Sequence, residues 1–154
     1  MSRAAQTGCR ALRKGRVNIA GQIYSLTTVT AARRRLFLDL HDARAVVLAM
    51  REVHEAELVE SLAFVVMPDH VHWLIALGHR PLGDVMRLFK ARSAGRINSR
   101  HGWRHPVWQR GYYDHAVRRE ENVAAIGRYI VLNPVRAGLV NCIAAYPFWD
   151  CAWL

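Results

Sequence analysis

The chain has 154 residues, 52% of them hydrophobic, and carries a formal net charge of +10 at pH 7. This length and composition predict one globular domain over residues 1–154 and exclude a disordered or fibrous protein. No apolar run approaches the roughly 20 residues that span a bilayer, and the three cysteines are scattered, so we expect a cytoplasmic protein with no membrane partner and no thiolate metal site.

The positive charge is concentrated in two regions. Residues 1–38 contain eight Arg or Lys residues and no acid, and residues 61–113 contain eight against two acids. Most of these bases are arginines, whose planar guanidinium binds phosphate at two points. The charge therefore predicts a nucleic-acid partner. An arginine-rich composition inherited from a GC-rich genome is the alternative, but it does not explain the missing acids.

The hydrophobic pattern predicts four strands and three helices. In chain order we predict a flexible basic arm at 1–16, a strand at 19–30, a helix at 39–57, strands at 58–67 and 70–77 joined by a Pro68-Asp69 turn, a helix at 81–98, a strand or extended segment at 107–117, a helix at 120–133 that Pro134 ends, and an irregular tail at 146–149. This order is typical of the α+β ferredoxin-like split βαβ fold, in which an antiparallel sheet carries helices on one face.

Two histidines lie one residue apart on the strand predicted at 70–77. Because side chains alternate between the faces of a strand, His70 and His72 should point the same way. Two neighbouring imidazoles can supply half of the ligands of a divalent metal ion. The alternative is a pair of exposed strand histidines, and the apolar flanks of the segment favour the metal site.

The last predicted helix carries a tyrosine and an asparagine one turn apart. Val123, Ile126 and Ile130 define its buried stripe, and Tyr129 and Asn133 lie along one edge of that stripe. Asn133 could supply an oxygen ligand to the metal, and Tyr129 a phenolic nucleophile. For Tyr129 the alternative is ordinary amphipathic packing with the hydroxyl in water.

These motifs together resemble the REP-associated tyrosine transposases, single-domain bacterial proteins within the broader group of HUH endonucleases. The likeness extends from about residue 15 to residue 149. It rests on H-V-H at 70–72, W-Q-R-G-Y-Y-D-H at 108–115, Y-I-V-L-N-P-V-R-A-G-L-V at 129–140 and Y-P-F-W at 146–149. An H-x-H pair alone is common, whereas its conjunction with the other three motifs is specific.

The resemblance implies a role for each residue of the proposed site. His70 and His72 would be the histidine ligands of Mg²⁺ or Mn²⁺, Asn133 the polar ligand and Tyr129 the catalytic nucleophile. The implied reaction cleaves single-stranded DNA to a 5′-phosphotyrosine and a free 3′-hydroxyl, and rejoins it by the reverse attack. The substrates implied are imperfect hairpins with a short tetranucleotide at the foot. No residue stands out as the general base.

Eleven residues are candidates for contact with DNA. The bases of the arm could reach a hairpin foot, those of the helix at 81–98 could bind phosphate, and two aromatic rings could stack on unpaired bases. The candidates are Arg10, Arg13, Lys14, Arg16, Arg87, Lys90, Arg92, Arg96, Trp108, Arg110 and Tyr112. The alternatives are a solvated helix face and, favoured for Trp108 and Tyr112, a buried core. Tyr113 is a rival nucleophile.

The sequence thus favours a metal-dependent tyrosine transposase or endonuclease that acts on single-stranded or hairpin DNA. A second hypothesis is a non-catalytic DNA- or RNA-hairpin-binding protein on the same fold. A metallohydrolase is disfavoured, because the segment D-H-V-H-W lacks the H-x-H-x-D-H pattern. A homodimer, and a nucleophile acting in cis or in trans, remain open.

Overall fold

A computed structural model describes residues 19–154, so the predicted basic arm at 1–16 lies outside the described residues. Short 3-10 turns connect some of the longer elements. In chain order these are β1 (Ile23–Val29), α1 (Leu40–Glu55), β2 (Val59–Val66), β3 (His70–Leu77), α2 (Leu82–His101), β4 (Tyr113–Ala116), α3 (Val123–Val131), α4 (Asn133–Arg136) and β5 (Trp149–Cys151). None of the helices in 19–154 combines the length and apolarity that a bilayer span requires.

The five strands form one antiparallel sheet in the order β4-β1-β3-β2-β5. The strand that carries the two histidines, β3, is therefore the central one, and it pairs with β1 and β2 over its whole length. The hairpin of β2 and β3 turns at Pro68 and Asp69, as predicted. The α+β antiparallel fold expected from the sequence is confirmed.

Helices cover both faces of the sheet. On the first, which we call the two-helix face, α1 and α2 bury Val71 and Trp73 of β3. On the second, the α3 face, Ile130 of α3 packs with Val65 and Leu74. The predicted helices at 39–57 and 81–98 thus share one face of the sheet, and the C-terminal helix α3, for which the sequence predicted no face, covers the other. The 16-residue α1 and the 20-residue α2 already cover the two-helix face, so α3 buries its apolar stripe on the other side.

Three predicted elements differ in kind or extent from the structure, beyond shifts of a few residues at the ends of the others. The segment predicted as a strand at 107–117 pairs continuously only over Tyr113–Ala116, preceded by one isolated bridge between Trp108 and Thr30. Pro134 does not end a helix. It lies in the first turn of α4, where its missing N–H is unneeded. The tail contains a short edge strand, β5, that its aromatic composition did not predict.

Candidate active site

His70 and His72 lie side by side on the α3 face of the central strand. They alternate with Val71 and Trp73, each only 1% exposed on the two-helix face. The two imidazole centroids are 4.8 Å apart and their planes meet at 88°. Both rings are half-buried. The prediction that the two histidines share one face is confirmed.

Each imidazole is oriented by a hydrogen bond at its Nδ1 atom. The Nδ1 of His70 lies 2.6 Å from a carboxylate oxygen of Asp69. The Nδ1 of His72 lies 2.9 Å from the hydroxyl of Thr27, directly opposite on β1. A carboxylate at Nδ1 commonly orients a metal-binding histidine, since it fixes the tautomer that presents Nε2 to the ion. The Thr27 hydroxyl can donate or accept, so it orients the His72 ring in either tautomer. The donor set therefore suits a divalent metal bound through the two Nε2 atoms.

The electrostatic environment keeps His72 neutral. Burial, and then the charges of His70 and Arg136, lower the pKa of His72 from 6.5 to about 4. The imidazole is therefore unprotonated at pH 7, which is the form that binds a metal ion.

Asp69 is itself held in place by the turn that follows β1. The backbone carbonyl of Asp69 accepts hydrogen bonds from the N–H and the hydroxyl of Thr30, at 2.9 and 3.1 Å. Arg33 approaches its carboxylate at 3.4 Å from a turn in which Ala32 and Arg33 both have positive φ. Burial raises the pKa of Asp69, but the hydrogen bond from His70 and the charges of His70 and Arg33 outweigh it and leave the pKa below 3.8. The carboxylate is thus ionised.

Tyr129 projects from α3 into solvent with 64% of its surface exposed. The guanidinium of Arg136 lies over its ring, with the Cζ atom 3.6 Å from the ring centroid. The same guanidinium acts electrostatically on His72. Arg136 therefore contacts the ring of the proposed nucleophile and also lowers the pKa of one histidine of the pair.

Asn133 occupies a different local setting from the one that the sequence predicted. The helix that carries Tyr129 ends at Val131, and Asn133 begins the short helix α4, so the two residues are not on one continuous helix. The side-chain amide of Asn133 donates to the Ile130 carbonyl at 2.8 Å, which leaves its oxygen as the atom able to bind a cation. The ligand role of Asn133 stays a prediction.

Among residues 19–154, acidic and thiol side chains do not complete a metal site around the histidines. Within residues 19–154, no group of three or more His, Cys, Asp or Glu residues is arranged to hold a metal ion. A metal on His70 and His72 would need its remaining ligands from an amide oxygen such as that of Asn133, from water or from a phosphate. Such an open coordination sphere is usual for Mg²⁺ at phosphate-transfer sites.

The C-terminal segment fixes both α3 and the end of β2. The hydroxyl of Tyr146 donates to the Val66 carbonyl at 2.6 Å, and the Val66 N–H donates to the Phe148 carbonyl at 2.9 Å. On α3, Gly127 lies so close to the Trp153 ring that a Cβ atom there would meet it at 2.8 Å. Tyr146 and Phe148 of the Y-P-F-W motif thus hold the end of β2, and Trp153, which follows that motif, packs against α3.

Three of the basic residues predicted to contact DNA from α2 make contacts within the protein. The ammonium of Lys90 donates to the carbonyls of Gln109 and Gly111, which ties down the loop before β4. Arg92 and Arg96 both pair with Glu52 of α1, and the hydrogen bond from Arg96 is the main cause that lowers the pKa of Glu52. These contacts favour a structural role for the three bases over a role in binding phosphate.

The other predicted DNA contacts divide by exposure. Trp108 and Tyr112 are 7% and 8% exposed and form part of the core on the two-helix face, so their rings are not available to unpaired bases. Arg87, which pairs with Asp84, and Arg110 are exposed. All α2 bases lie on the opposite side of the sheet from the histidines. A DNA strand would therefore have to pass around an edge of the sheet to contact both the α2 bases and the histidine pair. The four bases of the arm lie outside the described residues.

The position of Tyr113 also allows it to be the nucleophile in place of Tyr129. It is 62% exposed, and its partner in the sheet is Thr27, which is also the partner of His72. Paired residues point to one face, so Tyr113 lies on the α3 face two strands from His72, on the order of 10 Å between backbones. Unlike Tyr129, it has no arginine stacked on its ring among the described contacts.

The sequence did not single out Thr27, Asp69 or Arg136 as site residues. Asp69 directly precedes His70, and an acid next to a candidate ligand was a usable signal. Arg136 follows Tyr129 by seven residues, which is two turns of a helix. Nothing in the sequence indicated that Thr27 belongs to the site, because its contact with His72 depends on the register between β1 and β3.

Comparison with known proteins shows the family of the chain. The family model described as "Transposase IS200 like" matches residues 18–133, which include the histidine pair and Tyr129. A Haemophilus influenzae protein classed as a REP-associated tyrosine transposase is 25% identical over 141 residues, covering 83% of this chain and 78% of that protein. The Escherichia coli K12 REP-associated tyrosine transposase is 27% identical over 88 residues, covering 56% and 50%.

The chain is also similar to two solved transposase structures. A REP-associated tyrosine transposase bound to a REP hairpin superposes with a TM-score of 0.71 at 26% identity, covering 87% of this chain and 79% of that one. A Deinococcus radiodurans protein classed as a transposase superposes with a TM-score of 0.55 at 28% identity, covering 77% and 95%. Because the family model spans about three quarters of the chain and the histidine pair lies within it, this protein belongs to the IS200-like transposase family, with REP-associated tyrosine transposases among its relatives.

Proposed function

We propose that this protein is a metal-dependent tyrosine endonuclease and strand transferase that acts on single-stranded DNA at the foot of a hairpin. The observation that carries the proposal is the pair formed by His70 and His72, side by side on one face with Nδ1 of each ring already engaged. Hairpin DNA is the substrate because the related structure holds a REP hairpin and this chain has a net charge of +10.

The proposed metal ion is Mg²⁺ or Mn²⁺, held by the two histidine Nε2 atoms and the amide oxygen of Asn133. When bound, the ion would polarise the scissile phosphate and offset charge on its oxygens. Asp69 and Thr27 would keep the imidazoles oriented, since each holds one Nδ1 atom. Burial of His72 keeps its ring neutral and ready to act as a ligand.

Tyr129 is the proposed nucleophile. Its phenolic oxygen would attack the phosphorus atom and form a 5′-phosphotyrosine bond while the bond from phosphorus to the 3′ oxygen breaks. The phenolic proton passes to water, and the departing oxygen takes up a proton as a free 3′-hydroxyl. Attack of a 3′-hydroxyl on the phosphotyrosine reverses these steps, so cleavage and rejoining use the same groups.

The test uses DNA hairpins with flanking single strands of randomised sequence, incubated with the full chain and Mn²⁺. The oligonucleotides carry one dye at the 5′ end and another at the 3′ end. On a denaturing gel we expect the 3′ dye to migrate with the protein and the 5′ dye to leave on a shorter fragment. Chelation of the metal should abolish both products.

Two tyrosine variants identify the nucleophile. Tyr129→Phe should abolish the adduct without loss of hairpin binding, because only the exposed phenolic oxygen is removed. Tyr113→Phe is the matched control, since it removes an equally exposed hydroxyl on the same face. Adduct on Tyr113 in peptide mapping would show that the wrong helix has been assigned. Native-gel binding with no adduct under any metal would support the non-catalytic hairpin-binding protein instead.

A further inference from the structure

We propose that Arg136 is a catalytic residue, whose guanidinium binds the scissile phosphate beside the ring of Tyr129. This inference rests on the proposed function, because it names the group that receives the phosphate in the same reaction. It begins from the stack in which the Arg136 Cζ atom lies 3.6 Å from the Tyr129 ring centroid.

The stacked geometry leaves the hydrogen-bonding groups of Arg136 free for a phosphate. A guanidinium has five N–H donors, all in its own plane, whereas contact with an aromatic ring uses the face of that plane. A phosphate can therefore approach the edge of Arg136 without breaking the stack, and two parallel hydrogen bonds would fix its position. The phosphate would then lie next to the Tyr129 side chain.

Charge around Arg136 is also suited to an anion. Within the described part of the chain Arg136 forms no ion pair with an acid, whereas Arg33, Arg92, Arg96 and Arg100 all do. Its positive charge reaches His72, on the same face of the sheet. An anionic phosphate between the guanidinium and the histidines would meet positive charge from both sides once a divalent ion is bound.

Arg136 is held by a rigid turn of backbone. Pro134 is buried at the start of α4, and the Arg136 N–H donates to the Leu132 carbonyl at 3.0 Å. Directly after the turn, the Leu139 N–H donates to the Pro134 carbonyl at 2.9 Å. Because only Leu132 separates this turn from the end of α3, the turn fixes Arg136 relative to Tyr129. Such preorganised charge is most effective where negative charge develops during a reaction.

In the reaction, Arg136 would stabilise charge on the non-bridging oxygens as the phenolic oxygen of Tyr129 attacks phosphorus. It would not take or give a proton, because a guanidinium stays protonated throughout. The same contact would assist the reverse attack, since both directions pass through the same transition state.

The experiment measures the rate of covalent adduct formation for four proteins with Mn²⁺ and one hairpin, identified by sequencing the DNA that the wild type attaches to itself from the randomised pool. Relative to the wild type, Arg136→Ala should be slower by about 100-fold or more. Arg136→Lys should recover only part of that loss, because an ammonium keeps the charge but not the planar fork. Arg128→Ala is the matched control, since Arg128 is an exposed arginine on α3, and its rate should stay within about twofold of the wild type.

A second substrate separates phosphate binding from support of Tyr129. With a neutral methylphosphonate at the scissile position, the penalty of Arg136→Ala should shrink at least about tenfold, because no anionic oxygen is left to bind. If Arg136 only packs against the ring, the penalty will be the same for both substrates and the inference is wrong. Equal rates for Arg136→Ala and Arg128→Ala would also overturn it, while leaving the proposed function intact. If the wild type forms no adduct, the proposed function fails and this inference falls with it.

Discussion

The contact between Gly127 and Trp153 gives a sharp test of how α3 is held against the sheet. In Gly127→Ala the new methyl group would lie 2.8 and 3.0 Å from two ring carbons of Trp153 and 3.4 Å from the sulfur of Cys151. Carbon atoms in contact prefer about 3.5–4.0 Å, so the ring or the helix must shift. Overpacking of this kind costs about 1–3 kcal/mol.

Gly95→Ala is the matched control for this change. Gly95 also lies within a helix, but a Cβ atom there would meet nothing within 4 Å. Alanine is favoured over glycine by about 1 kcal/mol in a helix interior, and this gain is common to both variants. The difference in unfolding free energy between the two variants therefore isolates the overpacking cost of about 1–3 kcal/mol.

Thermal unfolding measures that difference directly. For a chain of this size 1 kcal/mol corresponds to about 2–4 °C, so Gly127→Ala should melt roughly 2–12 °C below Gly95→Ala. In a Trp153→Ala background the clash is gone, and Gly127→Ala should then stabilise the protein as Gly95→Ala does. If the two single variants melt within about 1 °C of each other, Trp153 does not hold α3 as described.

Three further outcomes are expected. Tyr146→Phe should lower the free energy of unfolding by about 1 kcal/mol in urea titrations, because the Val66 carbonyl loses its hydroxyl donor; an unchanged midpoint would mean that water replaces the bond without cost. Asp69→Asn should weaken Mn²⁺ binding by about 10- to 100-fold in calorimetry, because the carboxylate that orients His70 is lost; unchanged affinity would mean that the charge of Asp69 does not support the metal site. The last prediction concerns the metal-free protein, kept so by a chelator. Between pH 6.5 and pH 4, the free energy of unfolding of the wild type should fall by on the order of 2–3 kcal/mol more than that of His72→Asn. The sign follows because the unfolded His72 takes up a proton from pH 6.5 downwards, whereas burial and the charges of His70 and Arg136 hold the folded pKa near 4; parallel curves would refute that shift.

Local sequence patterns determined most of the fold. The strand at 70–77 was predicted with the boundaries that the structure has, because a turn signal at Pro68 and Asp69 precedes it and its alternation is strong. The helix at 39–57 was predicted to within two residues, and Asp39 caps it through the N–H groups of His41 and Asp42. The same alternation placed His70 and His72 on one face.

Tertiary structure decided which residues surround those histidines. The pairing of Thr27 with His72 depends on the register of two strands that are 45 residues apart in the chain. The stacking of Arg136 on Tyr129 depends on the short helix α4, which the sequence did not predict, because Pro134 was expected to end the last helix. A hydrophobic period reports which face of an element is buried, but not which neighbouring element covers it.

The same limit explains why three predicted DNA contacts make contacts within the protein that the sequence did not show. The sequence shows that Lys90, Arg92 and Arg96 lie away from the apolar stripe of their helix, which permits either solvent or phosphate as their environment. Only the packing of α2 brings Glu52 and the loop carbonyls before β4 within reach of those bases. Composition thus determined the net charge of this protein, whereas the tertiary fold determined which charges remain available, because long side chains pair with any acid that packing brings close.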